Sequence, residues 1–337
     1  MSIANAILAQ YQISSTQRIE YLGGAGGFSG AQLWKVHSEQ QGGRDFCLRR
    51  WPLNHPDPER LAWINLVLVH VAANGCPEIA VPIEATGGQR TIVQDGFLWE
   101  VSPWMPGAAD FSDDPSDERL SNVANCLARF HLGSAQVNLD FRSSPNAKLR
   151  CDALNSAGEL IDAIEKTNEQ SSIPYASIPS INFLRELVIK LGVGTANKLA
   201  AGLEPFIGEL FPVQPVIRDI WHDHILFIGD EVTGIVDFGA MQMDNVALDL
   251  ARVLGSIVGD DNHRWELALN VYSRTRPLQQ REIEFAFALD RCASFLGSLN
   301  WLKWLLLDQR SFEVTADVEK RVSHLIDRLS DLSLIHI

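Results

Sequence analysis

Alternating apolar and polar residues dominate the first hundred positions, and helical spacing takes over afterwards. Residues 18–22 predict a strand that runs into the glycine cluster Gly23-Gly24-Ala25-Gly26-Gly27. Residues 31–37 and 46–51 predict two more strands, separated by a turn at Gln41-Gly42-Gly43 and closed by Pro52. Leu61, Ile64, Leu68 and Val71 recur at helical spacing and predict a helix over 58–73, stopped by Asn74-Gly75. A hairpin follows, with 91–94 and 97–101 flanking the turn pair Asp95-Gly96. Ser102-Pro103-Trp104-Met105-Pro106-Gly107 then breaks the pattern and reads as a linker between lobes.

Beyond the linker the chain is mostly helical. Ser116 caps a helix with acid in its first turn, and its buried stripe is Leu120, Val123, Leu127 and Phe130. His131, beside that stripe, suits a hydrogen-bonded core histidine. Residues 137–180 are less regular, with one clear helix near 157–166. Helices are expected at 182–191 and 195–203, after Asn245 with Asp249 as a structural helix-start carboxylate, over 280–307 and over 315–332. The 280–307 segment is apolar on more than one side, so its Trp301 and Trp304 belong in a core. These elements make an α+β protein: a small β-rich lobe over 1–102, a hinge at 102–107 and a larger, mainly helical lobe over 103–337.

Composition narrows the partners. The formal net charge is −14, which argues against nucleic acid and against an anionic membrane surface. No run approaches the roughly 20 apolar residues of a membrane span. Cys47, Cys76, Cys126, Cys151 and Cys292 are scattered without a C-x-x-C pair, as suits free thiols in a reducing cytoplasm, and Met1 to Gln17 lacks the pattern of a signal peptide.

The chemistry is concentrated in one segment. Ile217-Arg218-Asp219-Ile220-Trp221-His222-Asp223-His224 precedes two short apolar runs joined at Gly229-Asp230, and Asp237-Phe238-Gly239 follows. A hairpin there brings Asp219, His224 and Asp237 to one place. Phosphoryl transfer needs one carboxylate to orient or deprotonate a hydroxyl and another to hold a metal ion against phosphates. The kinase catalytic loop has the form H-R-D-x-x-x-x-N followed by D-F-G. Here Ile-Arg-Asp replaces His-Arg-Asp, His224 falls at the Asn position, and Asp-Phe-Gly is intact.

This segment resembles that of the aminoglycoside phosphotransferase and choline kinase family, which has a protein-kinase-like fold. Gly24 to Gly30 is similar to the family's glycine-rich turn, Leu48-Arg49-Arg50 to its cation-bearing strand, and Trp99 to Gly107 to its hinge. Leu127 to His131 and Asp249-Leu250-Ala251 resemble two further family motifs. The resemblance implies ATP and Mg2+ as cofactors and the hydroxyl of a small molecule as acceptor. It implies Asp219 as catalytic base, and Asp237 and His224 at the metal. It implies Arg49, rather than Arg50, on the phosphates, with Gly24, Gly26, Gly27, Trp104 and Met105 around the nucleotide.

Three departures stand out. His224 replaces an asparagine, although magnesium prefers oxygen ligands. Arg49 replaces a lysine. No glutamate inside the 58–73 helix is placed to pair with Arg49, since Glu59 is at its start. A pseudokinase that binds nucleotide without turnover is the alternative these changes suggest. A zinc hydrolase is a third, because His222 and His224 would face the same way on an extended segment. The acceptor and the oligomeric state leave no motif.

Overall fold

Five antiparallel strands carry the first part of the chain: β1 (Thr16–Gly23), β2 (Gln32–Ser38), β3 (Asp45–Arg50), β4 (Thr91–Gln94) and β5 (Phe97–Pro103), in the order β1-β2-β3-β5-β4. The computed structural model describes residues 3–13, 16–24, 30–38, 43–53, 55–167, 175, 178–312 and 315–334. Gly26, Gly27 and the turn residues Gln41 and Gly42 lie outside them. The period of two turns Val36, Leu48, Trp99 and Val101 to one face of the sheet. Helix α1 (Ile3–Gln10), which was not among the expected elements, packs Ile7 and Leu8 into the same cluster. Tyr11 follows it and donates its hydroxyl to the Arg90 carbonyl at 2.8 Å.

Helix α2 spans Pro58–Ala73, as its periodicity predicts. Asp57 caps it by accepting from the Arg60 N–H, and Pro58 opens it where no N–H is needed. The expected linker starts two residues late. Ser102 and Pro103 remain paired with Cys47 and Phe46 of β3, because a proline at a strand end costs the ladder little. Helix α3 (Asp117–Val137) is capped by Ser116 and buries Leu120, Val123, Leu127 and Phe130 as expected. His131 is fully buried and shares a 2.8 Å hydrogen bond with the Tyr272 hydroxyl.

Contacts divide the chain into two compact units. The first comprises residues 1–138, 217–242 and 266–277; the second comprises 139–216, 243–265 and 278–337. The first unit contains the sheet, α1 to α3 and the catalytic segment.

The second unit contains β6 (Asp140–Ser143), α4 (Pro145–Asn155), α5 (Ala157–Glu165), α6 (Pro179–Leu203), β7 (Leu210–Val216), α7 (Ala247–Ile257), α9 (Gln280–Leu302) and α10 (Thr315–Leu334). Helix α4 escapes the apolar pattern because its buried face includes Asn146 as well as Ala147, Cys151 and Leu154. The two helices expected at 182–191 and 195–203 join into α6, broken internally at Gly192, whose φ is 61°. Asp249 is fully buried as the third residue of α7. Trp301 is buried, but Trp304 is only partly so and carries the Arg310 guanidinium 4.5 Å from its ring centroid. The α9 helix is shorter than expected because 303–307 widen into a π-helical turn. Helix α8 (Asn262–Thr275) begins within the second unit's segment and continues into the first unit's 266–277.

Candidate active site

Apolar anchors shape the catalytic segment. Ile217 and Ile220 are fully buried and Trp221 nearly so, which holds the half-buried Asp219 and exposed Arg218 at the surface between them. Arg218 adopts φ 71°, a left-handed conformation uncommon for a side chain of that size. His222–His224 then form a single 3-10 turn, closed by the His224 N–H on the Trp221 carbonyl at 2.8 Å. The extended segment behind the two-histidine zinc reading is therefore not formed. Among the described residues, His222 and His224 belong to no cluster of three metal-ligating groups.

The hairpin follows as β8 (Ile225–Ile228) and β9 (Glu231–Ile235), joined at Gly229-Asp230. Val236 donates its N–H to the His224 carbonyl at 3.0 Å, so the end of the hairpin returns to its beginning. Asp237 then turns with φ 66°, which directs its carboxylate back over His224. His224 Nε2 lies 3.9 Å from Asp237 Oδ2. His224 Nδ1 lies 2.8 Å from the Asp219 carbonyl oxygen. That carbonyl can only accept, so Nδ1 carries a proton and Nε2 is the ring nitrogen on the Asp237 side.

Arg49 reaches the same carboxylate, with Nη1 donating to Asp237 Oδ1 at 3.0 Å, while its guanidinium sits 4.6 Å from the Trp51 ring centroid. Burial disfavours the Arg49 charge, but Asp237, Cys47 and Glu100 outweigh it and raise its pKa. Burial pushes the Cys47 thiol up. It also pushes the Glu100 carboxyl up, against the pull of Arg49 and the Trp51 indole. Arg50 points to the other face and stacks on Phe97, with 4.3 Å to the ring centroid. The strand period thus brings Arg49, and not Arg50, to Asp237.

Beside this cluster lies a cavity of about 290 Å³. Arg49, Asn65, Glu100, Trp104, Met105 and Asp237 are among its lining residues. Close approach shapes its walls. A Cβ on Gly239 would fall 2.7 Å from the Trp51 ring, and one on Gly234 would fall 2.7 Å from the Met105 Cβ. Helix α2 is tied to the segment that follows Asp237-Phe238-Gly239, since Arg60 Nη2 donates to the Ala240 and Met241 carbonyls at 2.9 and 2.8 Å. Gly24 closes β1 as a half-buried turn residue. The carboxylate of Asp237 and the Nε2 of His224 form a mixed oxygen and nitrogen donor set able to share a divalent cation. Sequence reasoning missed Asn65 and Glu100, because both fall in runs that read as packing.

Residues 23–278 match the phosphotransferase enzyme family, and the chain belongs to it. It is 25% identical over 231 residues to a homoserine kinase of Bradyrhizobium diazoefficiens, covering 66% of this chain and 62% of that one. It is 36% identical over 225 residues to a homoserine kinase of Rhodopseudomonas palustris, covering 64% and 60%. The chain thus spans less than two thirds of the length of these curated relatives. Among solved structures, spectinomycin phosphotransferase in complex with ADP and spectinomycin aligns with a TM-score of 0.69 at 15% identity over 98% of both chains. Choline kinase from Streptococcus pneumoniae aligns with a TM-score of 0.53 at 13% identity, over 98% of this chain and 100% of that one. The fold is kinase-like, with a small antiparallel sheet region followed by a larger helical one. No helix among the described residues is long and apolar enough to cross a membrane.

Proposed function

We propose that this protein transfers the γ-phosphoryl group of ATP to a hydroxyl of a small molecule. The observation that carries this is the meeting of Arg49, His224 and Asp237 at one edge of the cavity, with the Asp219 backbone bonded to His224. In this reading Asp219 takes up the acceptor's hydroxyl proton. Asp237 and His224 hold Mg2+, and Arg49 steadies the phosphates. The bound cation would neutralise charge on the phosphates as the group moves. Trp104 and Met105 would line the base, and Gly24, Gly26 and Gly27 would contact the phosphates. We assign nucleotide cover to residues 1–102, catalysis and acceptor binding to 103–337, and the cytoplasm as the compartment that suits five free thiols.

Homoserine is the first acceptor to test, because the sequence relatives are homoserine kinases. Aminoglycosides and choline come next, on the likeness of the fold. Calorimetric titration of ATP with and without Mg2+ tests the nucleotide site. Binding should depend on Mg2+ and weaken in Asp237→Ala. Asp219→Ala should abolish turnover and spare ATP binding; full activity in that variant would refute the assignment. ATP binding without turnover on any acceptor would favour the pseudokinase, for which the departures at His224 and Arg49 are the motive.

A further inference from the structure

The cation at Arg49 lacks a helix-borne acidic partner. The α2 residues that line the cavity are Leu61, Ile64, Asn65 and Leu68, and none is acidic. Glu59, in the first turn of α2, is exposed. The acid closest to Arg49 by strand register is instead on the sheet. Arg49 of β3 is paired with Glu100 of β5, and directly opposed side chains in such a ladder lie about 4.5–5.5 Å apart at Cβ. Glu100 lines the cavity, is only 7% exposed, and its Oε2 has no hydrogen-bond partner. A buried carboxylate oxygen left unbonded is costly in a folded protein and points to a group that engages it in another state.

We infer that, given the nucleotide site proposed above, Glu100 is a positioning residue that holds the Arg49 guanidinium when Asp237 is committed to a metal ion. Arg49 now spends one donor on Asp237 Oδ1. Asp237 is the more exposed of the pair, at 39% against 16% for the Arg49 side chain. A carboxylate that takes on a divalent cation interacts less well with a neighbouring guanidinium, since two cations then compete for it. Arg49 has five donors and one other acidic neighbour within its own sheet. Glu100 keeps it aligned on the cavity without sharing the metal's ligand. The acidic partner has thus moved from the helix to a strand, where strand register fixes it directly opposite the cation. Burial raises the Glu100 pKa, and the Arg49 charge opposes it.

The test is a double-mutant cycle read by calorimetric ATP·Mg2+ binding and by thermal unfolding. Glu100→Gln keeps the shape of the side chain and removes its charge, so it should unfold no earlier than wild type. It should bind ATP·Mg2+ about tenfold more weakly, the size expected for loss of one charge-assisted contact. In an Arg49→Gln background the same change should cost no further affinity, because Glu100 acts through Arg49. Unchanged affinity in Glu100→Gln, or an equal loss in both backgrounds, would overturn the inference. A wild-type protein that fails to bind ATP·Mg2+ would instead overturn the nucleotide site on which it depends.

Discussion

At His224 a single hydrogen bond sets the chemistry. Donation from Nδ1 to the Asp219 carbonyl leaves Nε2 as the ring nitrogen on the Asp237 side, the one that can ligate a metal ion. A nitrogen donor suits manganese or zinc better than magnesium, which prefers oxygen. His224→Asn is therefore expected to shift the metal preference of ATP binding toward Mg2+ and away from Mn2+, measured as the ratio of the two apparent affinities. Gly239 is constrained by space. A methyl group there would fall 2.7 Å from the Trp51 ring, whose indole is buried and cannot retreat. Gly239→Ala should destabilise the protein by about 1–3 kcal/mol in denaturant unfolding and lower ATP affinity, because Trp51 and Asp237 both border the cavity.

Side chains also tie whole elements together. Arg119, 3% exposed on α3, donates through Nε and Nη2 to the Gly229 carbonyl at 3.0 and 2.7 Å and through Nη1 to Asp110 Oδ1 at 3.0 Å. It fixes the turn between β8 and β9, and with it the path from His224 to Asp237. Arg119→Ala should cost about 1–3 kcal/mol in denaturant unfolding, since it removes a buried guanidinium together with the several hydrogen bonds it makes. A second tie joins α3 to the segment beside β9. Arg129 donates to both carboxylate oxygens of Glu78 at 3.1 and 2.6 Å, and the Glu78 carbonyl accepts from the Ile235 N–H at 2.8 Å. Burial would raise the Glu78 carboxyl, but the Arg129 hydrogen bonds outweigh it and hold its pKa below the ordinary value of 4.5. A depressed folded-state pKa contributes stability above the unfolded value, and that contribution is lost as pH falls through the folded one. Glu78→Gln should therefore cost about 1–3 kcal/mol at pH 7. The gap from wild type should close as the pH falls through and below the Glu78 pKa, as followed by urea unfolding across that range.

For the whole molecule, a ligand that binds only the folded chain must stabilise it. At a hundredfold excess over Kd the gain is about 2.7 kcal/mol. For a protein of this size that corresponds to a rise in Tm of several degrees. ATP with Mg2+ is expected to produce it in wild type, and Asp237→Ala is expected to lose most of it in the same thermal scan. The second unit contains a buried polar cluster that periodicity did not reveal. Ser144 and Asn146 each bond Asp244 at 2.5 Å, and Asn245 donates to the Pro212 carbonyl and to Glu282 Oε1, both at 2.9 Å. Polar side chains read as surface in a sequence. Here they are buried because each finds a partner far along the chain.

Local order along the chain determined much of this protein. The period of two placed Arg49 and Arg50 on opposite faces, helical spacing delimited α2, and Gly229-Asp230 marked the hairpin that returns Asp237 to His224. Those features depend on neighbours a few residues apart, so composition and spacing specify them. The pairing of β3 with β5 is another matter. It sets Glu100 against Arg49 across the whole of α2 and β4, and nothing in either short run names its partner. The same holds for Arg119 and the β8–β9 turn, and for Asp244 with Ser144 and Asn146. Only the tertiary structure decided these, because the choice of partner is stabilised by burial of apolar surface shared among distant segments, and the polar groups bond to whatever that burial brings within reach.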